Sequence, residues 1–118
     1  MTEAQEDIRS SVLTTLSFLA SEAQQQEFAS KVYYACYQDE FACWWYDDTC
    51  YDPDEPGVLE MFTAEQLAAL RVFSTTFDLC SEALGSGLMT IQQLQAKVEW
   101  QSIVLKAKET LLKFENAI

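Results

Sequence analysis

Apolar positions along the chain recur at intervals of three and four, the period of a helix with one buried face. Ile8, Val12, Leu16, Leu19 and Ala23 form the first such row, and Thr2 stands where an N-cap would open that helix. Ser21 with Gln24 has capping-box spacing and predicts a second helix toward Tyr37, with Phe28, Val32 and Ala35 on its inner side. Asp39 is placed to cap a short third helix through Asp47 that carries Phe41, Trp44 and Trp45. Thr63 with Gln66 opens the plainest helix, whose face is Leu67, Leu70, Phe73, Phe77, Cys80 and Leu84. Gly85 and Gly87 end it.

Thr90 with Gln93 precedes a long final helix. Trp100, Ile103, Ala107, Leu111, Phe114 and Ile118 fall on one stripe there, widened by Ile91, Leu94, Val98 and Leu105. No segment alternates with period two, although Phe62 and Thr63 could form a short strand. The pattern predicts a single all-α domain over residues 1–118. Its expected architecture is a bundle of four or five helices with one long acidic, aromatic-containing loop. That loop is TCYDPDEPG, where Pro53 and Pro56 disfavour helix and Gly57 permits a turn.

Charge changes the picture. The 118 residues carry 19 acids against 7 bases, a net −12. Nine of the acids and none of the bases lie between Val32 and Leu70, whereas acids and bases balance from Arg71 onward. Nucleic acid and anionic membranes need positive charge from a protein, so neither is an expected partner. A basic protein is the natural complement. The acidic start, MTEAQEDIR, is unlike a secretory signal, and VLTTLSFLA is too short to span a bilayer. The expected compartment is the cytoplasm.

Chemistry is narrowed by what is missing. The chain has no histidine, which removes Ser-His, Cys-His and His-metal arrangements. Cys36, Cys43 and Cys50 are spaced by seven. On a continuous helix that is about 10.5 Å of rise, beyond the roughly 7 Å a disulfide tolerates between Cα atoms. A chain break near Gln38 or Thr49, or help from Cys80, would be needed to bring them together. The expectation is four buried, inert thiols and no metal. DDTCYDPDE does not match a calcium loop, because Asp52 or Pro53 falls where the sixth-position glycine belongs. GSG at 85–87 lacks the lysine and preceding strand of a phosphate loop. No pair of carboxylates is set apart for acid–base work. No enzyme activity and no cofactor are expected.

What remains is a surface. DEFACWWYDDTCYDPDEPG, from Asp39 to Gly57, sets Trp44, Trp45, Tyr46 and Tyr51 among seven carboxylates with no base to pair them. Two consecutive tryptophans diverge by about 100° on a helix, so they cannot share one core direction. Unpaired carboxylates need solvent or a basic partner. Tyrosine and tryptophan are frequent anchors of protein interfaces, and carboxylates accelerate and orient the encounter with a basic protein. The candidate partner-binding residues are Tyr37, Asp39, Glu40, Trp44, Trp45, Tyr46, Asp47, Asp48, Tyr51, Asp52, Asp54 and Glu55.

Through Tyr33, Tyr34, Tyr37 and the run Asp39 to Glu55, the chain resembles, as a class, the small acidic helical immunity proteins of bacterial toxin–immunity systems. The short helix motif of the colicin DNase immunity proteins is absent, and this chain is longer than theirs. Phe62 to Phe77 also looks like a helix of small bacterial proteins of this size. The resemblance implies a non-enzymatic inhibitor, monomeric or a weak homodimer, that neutralises a basic partner such as a nuclease toxin by occlusion. The alternative is a small acidic secretion chaperone or adaptor, dimerising through an apolar face of the last helix, Ile91 to Ile118.

Overall fold

The computed structural model describes residues 1–115; Ile118 of the expected final stripe lies outside them. Seven α-helices and no strand occur among the described residues. They are α1 (Glu3–Leu19), α2 (Glu22–Lys31), α3 (Tyr37–Cys43), α4 (Val58–Met61), α5 (Ala64–Leu84), α6 (Ile91–Gln95) and α7 (Val98–Glu115). α3 continues directly into a π-helical turn, Trp44–Asp48.

The capping residues act as their side chains dictate. Thr2, Thr63 and Thr90 each accept a bond from the amide three residues on, and Gln5, Gln66 and Gln93 reach back to the threonine amides. Ser21 makes the forward bond to Gln24. α5 stops at Gly85, whose φ of +67° suits glycine.

α5 and α7 form the most extensive helix contact, and α1 packs on α7. The Lys113–Glu65 ion pair joins the end of α7 to the start of α5, so these two run antiparallel. Leu67, Leu70, Phe73 and Phe77 face Trp100, Ile103, Val104 and Ala107 in one core with Val12, Leu16 and Leu19.

Four differences from the sequence pattern are visible in the structure. α2 ends at Lys31, and Val32 is extended. The Tyr37 hydroxyl donates to Val32 O at 3.1 Å, and Met89 N donates to Ala35 O at 3.4 Å. Val32 and Ala35 are therefore exposed, and only Phe28 of the expected inner row packs on the core. Ala23 belongs to α2 and is exposed, so the first row ends at Leu19. The final helix is broken at Ala96 and Lys97, where Lys97 N donates to Leu94 O at 3.0 Å and Gln101 Nε2 takes up the freed Gln95 carbonyl at 3.2 Å. The break turns Val98 out to 69% exposure, and Leu105 is also exposed. Phe62 has extended backbone but pairs with no strand; it is buried before the Thr63 cap.

A buried polar node ties the elements together. Gln25 is fully enclosed. Its Nε2 donates to Phe18 O at 3.2 Å and Leu19 O at 3.1 Å, at the end of α1. Its Oε1 accepts from Gln95 Nε2 and Trp100 Nε1, both at 3.0 Å. Two donors and two acceptor sites are all used, the condition under which a buried amide is tolerated.

Candidate functional site

The acidic aromatic segment is mostly helix. α3 begins at Tyr37, so Asp39 sits inside the first turn, where its charge complements the helix N-terminus, rather than capping it. The π turn then carries Trp44, Trp45, Tyr46, Asp47 and Asp48, and such turns are frequent at functional sites. Cys50 follows with φ of +57° and reverses the chain into the loop before α4. Of the aromatic candidates, Tyr51 alone lies in that loop.

The tryptophans part as their divergence requires. Trp45 is 4% exposed and meets Phe73 edge-on at 4.7 Å, with Tyr51 at 6.1 Å and Phe77 at 6.4 Å. Trp44 turns the other way and lies half-buried, 5.0 Å from Phe18, 5.0 Å from Phe28 and 5.2 Å from Phe41. Its Nε1–H donates to Glu40 Oε1 at 3.1 Å, which fixes the indole plane. Tyr46 is on the surface, 48% exposed, on the side of Trp45. Its ring meets Phe77 edge-on at 5.4 Å, and its hydroxyl donates to Asp78. Burial, and then Asp78, push the Tyr46 phenol well above its ordinary value.

Two candidates are thereby corrected. Tyr37 and Trp45 are core residues, each 4% exposed, and offer a partner no contact area. Tyr51 is half-buried; its hydroxyl is enclosed with no hydrogen-bond partner, and burial raises its pKa against the opposing pull of Arg71. The surface keeps Trp44 and Tyr46 as aromatic rim.

The carboxylates behave as a solvated field. Asp39, Asp47, Asp48, Asp52, Asp54 and Glu55 are exposed and Glu40 is half-exposed. The ion pairs among the described residues are Lys31–Glu27, Lys106–Glu109 and Lys113–Glu65, so none neutralises this group. Asp39 accepts from Ser86 Oγ at 3.1 Å, and Asp52 Oδ1 from Asp54 N at 2.9 Å in a local turn.

The cysteines also differ from expectation. None is buried: Cys43 and Cys50 are exposed, Cys36 and Cys80 intermediate, and all four are free. Among the described residues no group of three Cys, Asp or Glu side chains is arranged to hold a metal ion. Local desolvation, and then Asp47 and Glu40, raise the Cys43 thiol pKa.

Two of the surface hollows beside the segment include a candidate aromatic residue, Trp44 or Tyr37, in their lining. One, of about 330 Å³, lies where α1 meets the π turn and is lined by Thr14, Thr15, Phe18, Trp44 and Asp48 among others. The other, of about 380 Å³, carries Tyr33, Tyr34, Leu88 and Met89 with several glutamines and no charged side chain. Tyr33 is 86% exposed there. The pattern reading missed the α1 wall of the first hollow. Its signal was present as the hydroxyl pairs Ser10–Ser11 and Thr14–Thr15, four residues apart. Asp78, the partner of Tyr46, had no local signal, since it lies on a different helix 32 residues away.

No protein-family model, no curated protein and no solved structure matches the chain. No helix among the described residues is long and apolar enough to cross a membrane.

Proposed function

We propose that the chain is a non-enzymatic binding protein of the immunity or inhibitor type, neutralising a basic protein such as a nuclease toxin by electrostatic and steric occlusion. One observation carries this reading: exposed carboxylates without salt-bridge partners share one segment with aromatic side chains held in place by the core. Asp47, Asp48, Asp52, Asp54 and Glu55 supply the field that speeds encounter. Trp44 and Tyr46 supply preorganised contact area, because their orientations are set by Glu40 and Asp78 before any partner arrives.

The test compares tagged wild-type protein with a variant carrying Asp47→Lys, Asp48→Lys, Asp52→Lys and Asp54→Lys. Capture of a basic protein by wild type alone, weakening steeply with salt as screening shortens the field, is the expected result. Equal capture by both proteins would remove the electrostatic basis of the proposal.

A second reading, the homodimeric chaperone or adaptor, draws on a different feature. Val98, Leu105 and Leu112 repeat every seven residues along α7 and are 69%, 58% and 51% exposed. That row points away from the core formed by Trp100, Ile103, Val104 and Ala107 on the same helix. Light scattering separates the readings: a stable dimer favours the adaptor, a monomer the occluding inhibitor.

A further inference from the structure

The hollow between α1 and the π turn has a composition suited to one kind of side chain. Ser10 and Thr14, and Ser11 and Thr15, stand four residues apart on α1 and so stack along one flank of the helix. That flank borders the buried row Val12, Leu16 and Leu19. Across from it, Trp44 and Asp48 are again four apart, on the π turn. The hollow they enclose is about 330 Å³ and contains no cationic side chain. Trp44 is held by its bond to Glu40 and by edge contacts with Phe18 and Phe28, so its ring is a fixed wall. Asp48 is exposed and has no salt-bridge partner.

We propose that this hollow receives an arginine side chain of the basic partner, an inference that rests on the function proposed above and locates its anchoring point. The guanidinium lies against the Trp44 indole, its N–H groups shared between the Asp48 carboxylate and the hydroxyl oxygens of α1. Charge complementarity selects a cation: Asp48 is the one charged side chain of the lining, it has no salt-bridge partner, and the α1 hydroxyls opposite it accept but carry no charge. The spread of acceptors selects arginine over lysine. A guanidinium presents five donors in a flat fork, is weakly hydrated and stacks on aromatic faces, whereas an ammonium is a compact, strongly hydrated point charge. The hydroxyls each offer two lone pairs along the fork's edge.

The experiment titrates the isotopically labelled full chain with acetyl-Gly-Arg-Gly-amide and follows backbone amides and indole N–H resonances by NMR. The Trp44 indole is the one absent from a Trp44→Phe variant. The expected result is a saturable millimolar shift confined to the Trp44 indole and the amides of residues 10–18 and 44–48. Asp48→Asn weakens it about fivefold, the scale of one exposed ion pair. Asp54→Asn, outside the hollow, changes it less than about twofold. Acetyl-Gly-Lys-Gly-amide shifts the same signals several-fold less.

Absent or scattered shifts, an equal response to the lysine peptide, or equal weakening by Asp48→Asn and Asp54→Asn would overturn the arginine site. Equal weakening would still leave the broad acidic surface in force, so it would strike the hollow and not the function. Localised peptide binding by wild type, with equal partner capture by the fourfold lysine variant that lacks Asp48, would show a hollow that binds arginine but is not the partner's anchoring point, and would overturn both the anchoring role and the electrostatic function.

Discussion

Trp45→Ala tests whether the π turn is anchored in the core or merely laid upon it. The indole is 4% exposed and leaves three aromatic neighbours, Phe73, Phe77 and Tyr51, when it is removed. Truncation of a buried tryptophan to alanine costs about 3–5 kcal/mol, through lost burial and the residual cavity. Against a total stability of roughly 5–15 kcal/mol for a domain, that is a large fraction. At about 3–5 °C per kcal/mol for a chain of this length, the melting temperature should fall by roughly 10–20 °C. Trp44→Ala removes only a half-buried ring and one bond to Glu40, and should cost about 1.5–2.5 kcal/mol. Urea unfolding followed by far-ultraviolet circular dichroism measures both without relying on the deleted fluorophore. Trp45→Phe, at about 1–2 kcal/mol, provides a graded variant should the alanine form unfold. If Trp45→Ala costs under about 1 kcal/mol, or less than Trp44→Ala, the assignment of the two tryptophans to core and rim is wrong.

Tyr46→Phe should lower stability near neutral pH by about 1 kcal/mol, since it deletes a hydrogen bond that is half in solvent. Burial and Asp78 raise the folded phenol above the value of about 10 it has in the unfolded chain, so the folded state holds the proton more tightly. The contribution is complete below pH 10 and is lost as pH rises past 10; unfolding midpoints from pH 8 to 11 should therefore fall less steeply for Tyr46→Phe than for wild type. The Cys43 thiol is exposed yet held protonated by local desolvation, Asp47 and Glu40. Its reaction with a disulfide reagent at pH 8 should be slow for an accessible thiol, and Asp47→Asn with Glu40→Gln should speed it; unchanged rates would show that the acidic field is too screened to act even locally. Leu105→Glu places a charge at an exposed position and should leave the melting temperature within a few degrees. If light scattering shows a wild-type dimer, the same change should dissociate it, and a dimer that survives uses another face.

Much of the helical layout was legible because it is written locally. The Thr-x-x-Gln boxes at Thr2, Thr63 and Thr90 and the glycine at 85 each act over a single turn. The face of α5 followed from period alone. What escaped was set by distant partners. α2 stops at Lys31 because the carbonyls beyond it are taken by Tyr37 and Met89, which no local pattern announces. The break at Ala96 falls inside a stretch whose apolar period continues unbroken, so Val98 read as core and is surface. In the site, the divergence of Trp44 and Trp45 was legible, but which of them faced inward depended on where α1 and α5 came to lie. The cysteines read as buried because free thiols commonly are; Cys43 falls on the side of α3 away from the buried Tyr37 and Phe41.

The fully engaged amide of Gln25 bears on how the molecule opens. Its four bonds reach the end of α1, α6 and α7, and Gln25 itself stands on α2. Any form in which α6 and α7 detach while α1 and α2 stay docked gives up both bonds to the Gln25 oxygen, at about 0.5–1.5 kcal/mol each, together with the burial of Trp100. Such half-open forms are penalised, and the four helices are coupled into one cooperative unit. The Trp100 indole proton, donated to that oxygen, should then exchange with deuterium only through global unfolding. A single side-chain resonance thus reports the folding equilibrium of the whole domain, and exchange at Trp100 faster than that equilibrium allows would show that the helices open separately.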